Sequence, residues 1–472
     1  MIFDFNKYSN RYAIIDEDGL KYTYEMLFSE NQMLANIIGQ RCLVFILCTN
    51  RIGSIIGYTT CLNNNIIPLL LSNDIDKMFL QDLIEIYKPR YLWLPDEGTE
   101  SLELCNIVYR KYGYSLVELQ FNERYLLNKD LGLLLTTSGS TGSPKLVKQS
   151  YVNILSNATS IIQYLGIAET NKAIATLPMN YTYGLSIINS HLISGATILL
   201  TEKTLFHLEF WNFFKKEQAT TFGGVPYTYE ILKRIKFFNM NLPSLRIMTQ
   251  AGGKLSPELQ VEFSNFSAAH GIKFFIMYGQ TEATARMSYL PCAMAVEKIG
   301  SIGNAIPGGK LSLIDDNGNE VMEHDVVGEL RYEGPNVTMG YALGKDDLAK
   351  PDDWQGVLMT GDLAKKDQDG FFYIVGRRKR FVKIYGHSVN LDEIEIIIRS
   401  KFDQIECACS GIDNQVYIFI TDTTLIYDVK EYISDKLKMN PSSFSVTPIK
   451  QIPKNNAGKI LYNELNHYYE NQ

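Results

Sequence analysis

Apolar residues fall in two rhythms along this chain. Short unbroken runs at 43–47, 66–71, 133–135, 173–177, 197–200 and 274–277 predict buried strands. Between them, apolar residues recur at helical spacing over 25–38, 78–87, 152–165 and 185–193. Strands alternating with helices imply parallel sheet with helices on its faces. In such sheets ligands sit beyond the carboxyl ends of the strands. From about residue 300 to 375 the rhythm changes. Short strands at 310–314, 328–332 and 371–374 are divided by the turn signals Asp316-Asn317-Gly318 and Asp369-Gly370, which predicts a small antiparallel unit. The basic run Arg377-Arg378-Lys379-Arg380 follows, and residues 381–472 read as a separate α+β module.

The strand at 133–135 runs into Thr137-Ser138-Gly139-Ser140-Thr141-Gly142-Ser143-Pro144-Lys145. A polyanion would use each residue type here. Gly139 and Gly142 lack Cβ atoms, so backbone N–H groups can turn toward phosphate oxygens. Thr137, Ser138, Ser140 and Thr141 offer hydroxyl donors, and Lys145 adds a positive charge. The stretch is not a P-loop, because Ser-Pro separates Gly142 from Lys145 and no Ser or Thr follows the lysine.

It resembles instead the phosphate loop of the AMP-forming ligase superfamily, which holds acyl- and aryl-CoA synthetases, peptide-synthetase adenylation domains and beetle luciferase. The superfamily's other motifs follow in order. Tyr278-Gly279-Gln280-Thr281-Glu282 resembles YGxTE; the resemblance implies that Tyr278 lies against adenine, Thr281 touches the α-phosphate and Glu282 holds Mg²⁺ on the phosphates. Gly252-Gly253 resembles the glycine pair that lets adenine approach the backbone, although Ser256-Pro257 just beyond it also reads as a plain helix start. Thr360-Gly361-Asp362 matches TGD, and Gly376-Arg377-Arg378-Lys379 matches GRxK. These imply ribose contacts for Asp362 and Arg377 and a hinge at Lys379. The segment from Lys383 to Glu395 resembles the one lining a pantetheine tunnel, with Tyr385 and Gly386 at the tunnel. Pro453-Lys454-Asn455-Asn456-Ala457-Gly458-Lys459-Ile460 matches PKxxxGKI, which makes Lys459 the mobile lysine bridging carboxylate and α-phosphate.

The resemblance spans about residues 10–465 and implies an α/β fold. Its large adenylation domain (residues 1–378) has parallel-rich α/β subdomains and a small β-barrel-like unit, and is hinged at Lys379 to a small α+β domain (residues 380–472). The implied reaction activates a carboxylic acid with ATP and Mg²⁺ to acyl-AMP, releasing pyrophosphate. The acyl group then passes to a pantetheine thiol of coenzyme A or of a carrier protein. Tyr181, Thr182, Gly224, Val225 and Gln280 would line the acyl pocket. No carboxylate lies in Pro178-Met179-Asn180-Tyr181-Thr182-Tyr183-Gly184-Leu185, where amino-acid-activating members pair the substrate ammonium. An ammonium buried without a counter-charge is costly. An uncharged or weakly polar acyl tail is therefore favoured, with a stand-alone amino-acid-adenylating enzyme, a luciferase-type oxygenase and an inactive nucleotide-binding protein as alternatives.

Composition narrows this further. A chain of 472 residues exceeds one ordinary core, and two or three domains are expected. The formal charge of −7 gives no reason to expect nucleic acid or an anionic membrane as partner. No run of about 18 apolar residues occurs, so no membrane span is expected. The seven cysteines suggest neither a disulfide framework nor a zinc site, which fits a reducing cytoplasm.

Overall fold

The computed structural model describes residues 2–101, 106–121, 125–136, 145–384, 387–402, 405–412, 414–437, 439–454 and 460–468. They divide into two compact units. The first takes Met1–Thr137, Gly142–Lys310 and Tyr332–Leu358; the second takes Leu311–Arg331 and Met359–Gln472.

The first unit holds two large sheets. One has eight strands in the order Tyr341–Ala342, Leu146–Ser150, Leu131–Thr136, Ile67–Ser72, Leu43–Cys48, Tyr91–Pro95, Tyr114–Glu118 and Asn106–Lys111. Its centre is parallel, as the strand–helix alternation predicts: Leu43–Cys48 pairs in parallel with Ile67–Ser72 and with Tyr91–Pro95, and Ile67–Ser72 with Leu131–Thr136. Its flanks are antiparallel. The central strands are buried along almost their whole length, which explains their unbroken apolar runs.

The other sheet has nine strands, with Lys172–Ile174, Thr221–Gly224, Ile247–Gln250 and Lys273–Tyr278 forming a parallel core. The strand expected at 173–177 ends at Ile174. Pro178 has no N–H for a ladder, and the chain there turns away into the helix Thr182–Ile193. Helix Tyr151–Leu165 starts where predicted because Ser150 and Asn153 cap each other: Asn153 N–H donates to Ser150 Oγ (3.1 Å) and Ser150 N–H to Asn153 Oδ1 (2.8 Å).

The second unit carries strands of a four-stranded sheet ordered Lys310–Ile314, Gly328–Glu333, Val357–Lys366 and Phe372–Arg377. The last two run antiparallel, as the turn signals predict. Its C-terminal part is α+β. A hairpin, Phe381–Ile384 with His387–Asn390, precedes a three-stranded sheet and the helices Leu391–Lys401 and Ile426–Leu437. Among the described residues no helix is long and apolar enough to cross a membrane, and the six described cysteines are free.

Candidate active site

Strand pairing in the first unit places the first charge. The segment expected to form the phosphate loop connects Leu131–Thr136 to Leu146–Ser150, two strands that are antiparallel, with Thr136 opposite Leu146. The far edge of Leu146–Ser150 pairs with Tyr341–Ala342, with Ala342 opposite Leu146 and Tyr341 opposite Val147. Lys145 therefore stands diagonally across from Tyr341, and its ammonium lies 3.7 Å from the centroid of that ring. The Tyr341 hydroxyl donates to Glu282 Oε1 at 2.9 Å. Burial, and then the negative charge of Glu282, raise the Tyr341 pKa well above the usual phenol range, so the hydroxyl remains a donor. One tyrosine thus holds a cation and a carboxylate close together without an ion pair between them.

Glu282 lies in the short 3-10 turn Thr281–Ala283, just after strand Lys273–Tyr278. The loop folds tightly on itself. Ala283 N–H donates to Gln280 O, Thr284 N–H to Thr281 O, and Met287 N–H to Tyr278 O. A Cβ on Gly279 would overlap the Ala285 carbonyl oxygen, so only glycine fits there. Thr284 adopts φ +65°, a rare conformation for a β-branched residue. Its Oγ1 donates to Asn336 O at 2.7 Å, and its carbonyl accepts from Thr182 Oγ1. The Asn336 amide donates to the carbonyls of Ala283 and Arg286, at 2.9 Å each.

The residues expected to line the acyl pocket partly converge. Gly252 has φ +86°, and a Cβ there would lie 2.5 Å from the Tyr181 hydroxyl and 3.1 Å from Val225. Gly253 packs against Pro226, and Gly224 against Thr228. Thr182 is tied to the loop after Glu282 through Thr284. Ser256 does cap the helix Pro257–Ala269, so the glycine pair stands at a strand-to-helix turn as well as beside Tyr181. Gln280 precedes the Thr281 turn.

In the second unit Asp362 and Arg377 are direct cross-strand partners, and Arg377 Nε lies 3.0 Å from Asp362 Oδ1. The Asp362 side chain is buried. Arg378 donates to Glu329 Oε2 at 2.6 Å, and Gly361 N–H to Glu329 Oε1 at 3.2 Å, which fixes the two motifs to one strand edge. Further on, the buried Glu395 carboxylate receives Arg380 at 2.6 Å, Arg399 at 3.2 Å, the Tyr462 hydroxyl at 3.1 Å and Cys409 N–H at 2.7 Å. Lys379 lies in the 3-10 turn Arg378–Arg380. Thr137, Ser138, Gly139, Ser140, Thr141, Gly142, Tyr385, Gly386 and Lys459 lie outside the described residues.

Compared with known sequences, residues 4–342 match the profile of the AMP-binding enzymes. The chain belongs to this family. The AMP-binding enzymes most similar to it include the 2-succinylbenzoate–CoA ligases of two bacilli. That of Bacillus licheniformis is 28% identical, over 71% of this chain and 70% of the relative. That of Bacillus pumilus is 26% identical, over 96% of this chain and 94% of the relative. Among solved structures, the o-succinylbenzoate CoA synthetase of Bacillus subtilis with its acyl-adenylate superposes with a TM-score of 0.76 at 22% identity, covering 96% of this chain and 95% of that one. The same enzyme is known with AMP, and with ATP and magnesium ion. This likeness shows that the chain has the two-domain, adenylate-forming fold.

Tyr341, Asn336 and Arg286 were not singled out by the sequence reading. Arg286 carried one signal, as the only charged side chain in the run 283–290. Tyr341 and Asn336 carried none, since strand pairing and loop packing bring them in.

Proposed function

We propose that this AMP-binding enzyme activates a small carboxylic acid with ATP and hands the acyl group to a pantetheine thiol. The carboxylate oxygen attacks the α-phosphorus, the bond to the β-phosphate breaks, and pyrophosphate leaves. The thiol sulfur then attacks the acyl carbon, AMP leaves, and the thiol proton goes to solvent. The first step brings two anions together, so positioning and positive charge carry it.

The observation that supports this most is the Lys145–Tyr341–Glu282 arrangement. Among the described residues no carboxylate pairs with Lys145, so it would be available to the terminal phosphates with Thr137, Ser138, Gly139, Ser140, Thr141 and Gly142. The Glu282 carboxylate suits a hard cation that takes most of its oxygens from phosphates and water. Bound there, Mg²⁺ would neutralise part of the phosphate charge. Thr281 would contact the α-phosphate. Tyr278 and Gly279, with Gly252 and Gly253, would border the adenine, and Asp362 with Arg377 would hold the ribose hydroxyls. Tyr181, Thr182, Gly224, Val225 and Gln280 would enclose the acyl chain.

Lys459 and the Tyr385–Gly386 segment belong to the proposed small domain, residues 380–472. Bending at Lys379 would present them in turn, Lys459 for adenylation and the tunnel for thiol entry. Coenzyme A and a carrier protein bear the same thiol arm, and the enzyme would work in the cytoplasm. The test is pyrophosphate release across an acid panel, with hydroxylamine trapping of the acyl group and each thiol supplied separately. ATP binding without pyrophosphate release from any acid would overturn the proposal.

A further inference from the structure

Arg286 is only 3% exposed. Its guanidinium carbon lies 3.8 Å from the centroid of the Tyr183 ring, and its Nε is buried without a hydrogen-bond partner. Among the described residues no carboxylate pairs with it. The tyrosines around it do not replace one. The Tyr183 hydroxyl is engaged with the Thr249 carbonyl at 2.8 Å, and the Tyr164 hydroxyl, which also meets Arg286, contacts Met277 Sδ at 3.0 Å; both are neutral phenols and bring no opposite charge. Burial pushes up the pKa of Tyr164, Tyr181 and Tyr183, the last to about 12, and the Arg286 charge opposes that rise in all three.

A guanidinium keeps its charge at any physiological pH. Stacking on one ring offsets only part of the loss of water around it. The location matters as much as the charge. Tyr183 follows Thr182 at the start of the helix Thr182–Ile193, and Tyr181 meets Gly252 and Val225. Arg286 also shares a loop with Thr281 and Glu282, and Asn336 braces that loop by donating to the Ala283 and Arg286 carbonyls. A buried, under-compensated cation therefore stands beside the residues proposed to enclose the acyl chain, on the same loop as the residues proposed to meet the α-phosphate.

We propose that Arg286 receives a second carboxylate at the far end of the acid, so that the substrate is a dicarboxylic acid. This rests on the adenylation reading above and reverses the expectation of an uncharged tail. The absence of a carboxylate in the 178–185 segment, which argues against an ammonium-bearing substrate, agrees with a cation in this place.

The experiment measures pyrophosphate release for matched acids of equal length: dicarboxylic acids from malonic to suberic, their monoamides, and the corresponding monocarboxylic acids. The wild-type protein is expected to prefer one diacid over its monoamide and monoacid by about 10²-fold or more in kcat/KM. That diacid should also raise the melting temperature more than its monoamide does, a readout that needs no variant. Arg286→Gln is expected to lose about 10²–10³-fold on the diacid and to collapse the diacid-to-monoacid ratio, with Arg286→Lys between the two. Equal use of monoacids and diacids by the wild type, or an unchanged ratio in Arg286→Gln, overturns this inference and leaves the adenylation reading standing. Absence of pyrophosphate from every acid overturns both.

Discussion

Replacing Tyr341 separates two contributions that meet on one side chain. Tyr341→Phe keeps the ring beneath the Lys145 ammonium, 3.7 Å from its centroid, and removes the hydroxyl that donates to Glu282 at 2.9 Å. A hydrogen bond to a charged group contributes about 1.5–3 kcal/mol when buried, and roughly 1 kcal/mol is reasonable at this half-buried carboxylate. That predicts about a fivefold loss of adenylation at subsaturating magnesium, partly restored as magnesium is raised, because Glu282 loses the contact that orients it. Tyr341→Ala removes the ring as well. A cation–π contact of about 1–2 kcal/mol is then lost, and the lysine is free to swing. The combined cost predicts about a 30- to 150-fold loss, now also visible in the KM for ATP. The assay is pyrophosphate release under ATP and magnesium titrations, with circular dichroism confirming the fold. If Tyr341→Phe matched the wild type at every magnesium concentration, or Tyr341→Ala were no worse than Tyr341→Phe, the assigned role of this tyrosine would be refuted.

Gly279→Ala is expected to abolish adenylation and lower the melting temperature, because its Cβ would overlap the Ala285 carbonyl oxygen and force the loop open; an active, equally stable variant would contradict the packing. Burial pulls the His191 pKa down to about 4 from 6.5, so the unfolded chain binds more protons between those values. Stability should therefore be lost as pH falls from 6.5 toward 4, by about 2 kcal/mol from this group at pH 5. Urea midpoints at pH 7 and pH 5 should converge in His191→Gln relative to the wild type. Lys459→Ala is expected to slow adenylation by about 10²–10³ and to spare thioester formation from preformed acyl-adenylate, which single-turnover measurements of the two half-reactions would separate.

The strand–helix alternation was legible because fully buried parallel strands leave unbroken apolar runs, and the runs at 43–47 and 197–200 fall on observed strands. The hairpin Asn106–Lys111 with Tyr114–Glu118 was missed, since its outer strand is largely exposed and lacks such a run. The motif residues were also legible, because phosphate and ribose chemistry restricts residue type over short spacings. Register was not. Asp362 and Arg377 are far apart in sequence, and only the β-ladder makes them partners. Lys145 and Glu282 meet through Tyr341 for the same reason: no local pattern encodes which strand edge will lie beside which.

The bracing of residues 278–287 by Asn336 bears on any attempt to retarget this protein. The strut offers no slack: its glycine is irreplaceable and its threonine is held in an uncommon backbone state. Transplanting the whole segment from another enzyme would disturb both ends together. Exchanging single side chains on an unaltered backbone is the route that keeps selectivity and turnover separable.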